Sequence, residues 1–181
     1  MRRILQVILL SCIIAPAAGA QLSVKAGLSF ASTTESDFIP DVGTRTGFAA
    51  GLSLGLPIGT SLSLRPELLY VQKGGKFAND ETLEINELNI PVLLQFTLPM
   101  PVLAPYLLAG PVAEYELSCT AADIDCVDTE SLRWGFMAGA GVHLASLTVE
   151  GRYGYTLSEI SDNIKSKPRT ILLLVGFSLG G

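Results

Sequence analysis

Nine ionisable residues stand where chemistry is conceivable: Lys25, Arg65, Glu67, Glu87, Glu114, Arg133, His143, Glu150 and Arg152. Glu67 follows Arg65 by two positions, and Arg152 follows Glu150 by two. A spacing of two puts both side chains on one face of a strand. Acid and base so placed can form an ion pair, line an ion path, or serve general acid–base work. His143 is the single histidine, and a Ser/His/acid hydrolase would have to use it. It sits one residue before a two-residue turn, among small and apolar neighbours, so a hydrogen-bonding role within the fold is favoured over catalysis.

Two further groups could do chemistry. Cys119 and Cys126 lie in one polar segment, and in an exported chain they are expected to close a loop as a disulfide. Asp123, Asp125, Asp128 and Glu130 crowd that same segment. Calcium favours clustered carboxylate oxygens, but the glycine and terminal glutamate of a calcium loop are missing. A solvated acidic loop is the expectation, with no metal and no cofactor.

The elements that carry these residues read as strands. Positions 147–157 alternate Leu147, Val149, Tyr153, Tyr155 and Leu157 against Thr148, Glu150, Arg152 and Thr156. The same alternation predicts strands over about 22–30, 47–56, 61–73, 83–98, 104–117, 132–144 and 170–179. On the strand at 47–56 the face opposite the apolar one is Gly, Ala and Ser. Water would favour long charged groups there, so this face is expected to line a crowded interior. At 104–117 the register is ambiguous. Placing Leu107, Ala109, Ala113 and Tyr115 outward keeps Glu114 away from lipid.

Composition points the same way. The 181 residues are 49% hydrophobic and only 16% charged, against about 25% charged in soluble domains. The formal net charge of −5 offers no basic patch for nucleic acid. Residues 1–20 look like a secretory signal: Arg2 and Arg3, an apolar run over 4–14, and Ala18-Gly19-Ala20 before the cleavage point. The mature domain would then be 21–181. Beyond that run Gly, Pro and polar residues interrupt every apolar stretch, leaving no helical span. Eight amphipathic strands joined by alternately long and short links predict an all-β, eight-stranded, antiparallel up-and-down transmembrane barrel. Lipid cannot satisfy open sheet edges, so such a sheet must close.

Three segments carry a resemblance: 64–75 (LRPELLYVQKGG), 105–111 (PYLLAGP) and 149–155 (VEGRYGY). In these the chain resembles the PorT-like outer-membrane β-barrel family, small barrels often labelled "porin family". The resemblance implies an eight-stranded outer-membrane barrel similar in shape to OmpX or the OmpA barrel, and little about activity. Its partners would be outer-membrane lipid, the barrel-assembly machinery and an unidentified molecule bound by the loops. The assembly signal would rest on Phe177 and Leu179, although this chain has Leu where the family carries a terminal aromatic.

In that setting the nine ionisable residues form a charge network inside the lumen, and an eight-stranded lumen is just wide enough to be filled by side chains. Phe30, Phe48, Tyr70, Trp134, Tyr153 and Tyr155 are expected to form aromatic girdles at the membrane interfaces. The expected role is structural or surface-interacting through the loops, without catalysis. The alternatives are a narrow channel for small solutes, a secreted lipocalin-like barrel with an apolar cavity, and a lipid-modifying enzyme.

Overall fold

A computed structural model describes residues 19–32, 45–76, 82–121, 124–125, 132–157 and 169–179. Eight long strands run through them: β1 Gln21–Ser32, β2 Arg45–Pro57, β3 Leu62–Lys76, β4 Thr82–Thr97, β5 Ala104–Ala121, β6 Leu132–Leu144, β7 Leu147–Thr156 and β8 Arg169–Ser178. Each pairs antiparallel with the next, and β8 returns to β1 with Val24 opposite Phe177 and Leu28 opposite Leu173. The result is a closed ring in up-and-down order. The strand limits differ from the alternation-based ones by a few residues at most, the largest gain being the extension of β5 to Ala121.

Three short connections, at 58–61, 98–103 and 145–146, gather at one end, here the turn end. The four remaining links leave from the other, the loop end. In the first turn Ile58 N donates to Leu62 O at 2.9 Å, and in the second Leu98 N donates to Pro105 O at 2.9 Å. The third contains Ala145 at φ 54°. Two-residue hairpin turns that match strand twist demand positive φ, which favours Gly or Asn, so Ala is a strained choice there.

Three ladders are interrupted, each beside a proline. The β2–β3 register skips from Ser53/Glu67 to Leu56/Leu64 across Pro66. The β3–β4 register skips from Pro66/Val92 to Leu69/Asn89 across Pro91. The β4–β5 register skips from Pro91/Val112 to Leu94/Ala109 across Pro111. Proline has no N–H to give a ladder, so the sheet loosens on one diagonal through β3, β4 and β5. A register shift at Asn86/Glu87 adds a bulge near the loop end of β4 and β5.

The pleat sorts side chains into two populations. Leu28, Phe48, Leu52, Trp134, Phe136 and Val175 are exposed on the outside. Lys25, Arg65, Glu67, Glu87, Glu150 and Arg152 are buried inside. This is the reverse of a water-soluble fold, and of a lipocalin-like barrel with apolar groups around a cavity. On β5, Leu107 and Tyr115 face outward while Tyr106, Leu108 and Glu114 are buried, which settles the ambiguous register. Inside, Leu69 and Val71 on β3, Leu93 on β4, Val112 on β5, Met137 on β6 and Leu172 on β8 form an apolar layer. Charged side chains lie beyond that layer in both directions along β3.

Candidate functional site

The interior charges form two clusters. At the turn end, β1, β3 and β7 bring together Lys25, Arg65, Glu67, Glu150 and Arg152. Lys25 Nζ lies 2.9 Å from Glu67 Oε1 and 2.7 Å from Glu150 Oε1. The Arg152 fork reaches Glu67 Oε2 through Nη1 and Glu150 Oε1 through Nη2, both at 2.6 Å. Arg65 Nη2 is farther away, 3.2 Å from Glu67 and 3.7 Å from Glu150. Neutral donors complete the shell: Ser53 Oγ donates to Glu67 Oε1 at 2.9 Å, and Tyr106 Oη donates to Glu150 Oε2 at 2.7 Å. Buried charges are tolerated when paired and hydrogen-bonded in this way.

The inner face of β6 makes room for this cluster. A Cβ on Gly141 would come within 2.5 Å of the Tyr106 hydroxyl, and one on Gly139 within 2.9 Å of Arg152 Cγ. Small residues there let two large side chains cross the lumen. Arg65 lies over the Tyr106 ring at 5.5 Å, a cation–π contact.

At the loop end, β3, β4, β5 and β6 assemble Lys73, Glu87, Glu114, Glu116 and Arg133. Lys73 Nζ bridges Glu87 Oε2 at 2.6 Å and Glu114 Oε1 at 2.9 Å. Arg133 holds Glu87 through Nη2 and Glu116 through Nη1, the latter at 3.0 Å. Thr156 Oγ1 donates to Glu114 Oε2 at 2.9 Å.

The nine residues singled out from the sequence are therefore divided. Lys25, Arg65, Glu67, Glu150 and Arg152 meet near the turn end, with His143 beside them. Glu87, Glu114 and Arg133 meet across the apolar layer. His143 is half-buried; its Nε2 lies 3.1 Å from Gln95 Nε2, and its ring is 4.5 Å from that of Tyr106. Alternation missed Lys73, Tyr106 and Glu116. Lys73 was available from parity, since it continues the face of Arg65 and Glu67. Tyr106 was hidden by the ambiguous register of 104–117.

The six aromatic residues do not divide between two rims. Phe48 and Tyr70 are neighbours, with centroids 5.4 Å apart, and Tyr70 Oη donates to Asn86 Oδ1 at 2.8 Å. Phe30 lies near the loop end of β1, Trp134 near that of β6, and Tyr153 and Tyr155 near that of β7. Toward the turn end the exposed aromatics are Phe96 and Phe177. Phe177 lies outward opposite Val24 and Leu147, and Leu179 N donates to Leu22 O at 2.7 Å. The side chain of Cys119, all of Cys126 and residues 1–18 of the proposed signal 1–20 lie outside the described residues, as do Asp123, Asp128 and Glu130. Among the described residues no cluster could hold a metal ion.

A closed ring with an oily outside and ion pairs sealed within defines a membrane-spanning β-barrel. The chain belongs to the family described as outer membrane protein beta-barrel domain, whose profile matches residues 15–162, and its place is the cell outer membrane. No curated protein matches the sequence significantly. Among solved structures, the chain is similar to Neisserial surface protein A at 17% identity and TM-score 0.57, covering 88% of this chain and 97% of that one. It is similar to PagL, an outer membrane enzyme, at 15% identity and TM-score 0.53, covering 86% and 98%. It is also similar to Ail, the attachment invasion locus protein of Yersinia pestis, at 13% identity and TM-score 0.51, covering 88% and 97%. At these identities the likeness is one of fold.

Proposed function

We propose that this barrel is plugged and that it works at its outer surface, as a structural or surface-interaction protein whose loop end faces the cell exterior. The observation that carries this reading is the filled lumen. Two paired charge clusters with an apolar layer between them replace the polar-lined passage that conduction needs. A narrow channel is disfavoured for that reason.

The loop end supports the surface role. The β3–β4 ladder continues to Lys76/Thr82 and the β4–β5 ladder to Leu83/Ala121. Among the described residues the β2–β3 ladder ends at Ala49/Val71, and the β5–β6 ladder at Tyr115/Leu132. Among the described residues β3, β4 and β5 thus pair farthest toward the loop end and form a small ledge. Residues 124–125 add a short pairing to β5. Such a ledge can present loops, or lend a strand edge, to a partner. In this reading the turn end faces the periplasm, residues 1–20 are removed on export, and Phe177 with Leu179 guides assembly.

Fold alone leaves catalysis open, because PagL shares it. His143 lies at the turn end against Gln95 and Tyr106, away from the leaflet that the loops face, so a His-dependent site on outer-leaflet lipid is disfavoured. Planar-bilayer recording of the purified barrel tests the plug: the expected result is no steady unitary current. Large, reproducible steps from the wild type would overturn it. Lipid hydrolysis abolished by His143→Ala would move the protein into the enzyme class.

A further inference from the structure

The plug does not reach the turn-end mouth. Below the ion pairs lies an open vestibule of about 520 Å³, within the range of small-molecule sites. Arg65, Gln95, His143 and Thr148 form its inner part, and Ser61 and Ser63 belong to its hydroxyl-rich wall.

The electrostatics of this floor are one-sided. Among the described residues the turn-end cluster has three cations, Lys25, Arg65 and Arg152, and two carboxylates, Glu67 and Glu150. The cluster therefore carries one positive charge in excess. Lys25 and Arg152 hold the carboxylates at 2.6–2.9 Å. Arg65, at 3.2 and 3.7 Å, is the cation held most loosely by the carboxylates; it also donates to Gln95 Oε1 and, at 3.4 Å, to Ser53 Oγ, and it is the one that lines the vestibule.

The neighbouring groups also donate. Gln95 Oε1 accepts from Arg65 Nη1, so Gln95 Nε2 gives its protons to Thr97 Oγ1 and His143 Nε2. His143 Nε2 is then an acceptor, and the neutral imidazole must carry its proton on Nδ1. Thr148 is 4% exposed, and its Oγ1 is buried without a hydrogen-bond partner while the residue lines the vestibule. An unpartnered buried hydroxyl is costly unless something bonds to it. A net positive floor, an arginine whose carboxylate contacts are long, an imidazole N–H and an unpaired hydroxyl together favour an acceptor.

The geometry points to a binding site for a small hydroxylated carboxylate, of the sugar-acid class. Its carboxylate would meet Arg65 and, after a small shift that opens the sealed Thr148 Oγ1 to the vestibule, the Thr148 hydroxyl; its hydroxyls would meet the serine and threonine wall. The planar guanidinium suits a carboxylate. This inference is separate from the surface role, and its failure would leave that role untouched.

Glucuronate is the probe, with glucose as its uncharged counterpart. The full barrel, purified from outer membranes in non-ionic detergent, is titrated with each and followed by amide chemical shifts. We expect saturable, one-to-one binding of glucuronate, with shifts confined to the turn end, and binding of glucose weaker by about tenfold or more. Thr148→Val should weaken glucuronate binding about fivefold to tenfold, with the barrel's heat-dependent gel mobility unchanged. Arg65→Gln should weaken it further. Should Arg65→Gln fail to fold, Thr148→Val and His143→Phe decide the matter. Absence of saturation, equal binding of glucose, or glucuronate affinity unchanged in these variants would overturn the site.

Discussion

The two ends of the lumen solve one problem with opposite surpluses. Among the described residues, three cations share two carboxylates at the turn end, and three carboxylates, Glu87, Glu114 and Glu116, share Lys73 and Arg133 at the loop end. In the first cluster each acid is indispensable and one base is spare. In the second each base is indispensable and an acid can be lost. The consequence of removing a charge inside this barrel thus depends less on its burial than on which sign is scarce around it.

The largest effect is expected from Glu67→Gln. It leaves Lys25, Arg65 and Arg152 facing Glu150 alone, and losing one partner of a buried pair costs about 3–5 kcal/mol. Urea unfolding in detergent, followed by gel mobility, would read this as a large drop in midpoint. Lys73→Met comes next. Among the described residues it leaves Glu114 with the Thr156 hydroxyl as its hydrogen-bond partner, and about 3 kcal/mol is expected, the low end of the same range. Glu87→Gln should cost less, about 1–2 kcal/mol, because Lys73 keeps Glu114 and Arg133 keeps Glu116. If Glu87→Gln destabilised as much as Glu67→Gln, the contrast between the ends would be broken. Ala145→Gly touches neither cluster. It relieves the positive φ and should raise the unfolding free energy by about 1 kcal/mol or less, which sets the background against which the charge variants are compared.

The alternation that made the barrel legible fails where both faces are apolar. In Leu68-Leu69-Tyr70-Val71, residue type does not separate Leu69 and Val71, which are inside, from Leu68; only the parity set by Arg65 and Glu67 does. Residue type likewise does not separate Leu172 from Leu173. The apolar layer between the clusters was therefore legible only by extending the parity of Arg65 and Glu67, and the division of the charges into two groups needed the register as well. The positions of Glu150 and Arg152 were readable because lipid rejects charge, which fixes parity on β7. Depth was not readable for the aromatic residues. Strand tilt and stagger decide where along the barrel a residue falls, and these place Phe30, Phe48, Trp134, Tyr153 and Tyr155 toward one rim. The ladder breaks at Pro66, Pro91 and Pro111 can be suspected from proline alone, but their alignment on one diagonal needs the register.

The junction of β1 with β8 makes chain order into a timing device. The first strand to emerge has its permanent neighbour among the last residues made, from Arg169 onward. Until those arrive, both β1 and β7 carry a free margin that hydrocarbon will not accept. Entry into the bilayer is therefore all-or-none with respect to the last strand: a chain that ends short of Arg169 has seven strands and two open borders, and is not fit to insert.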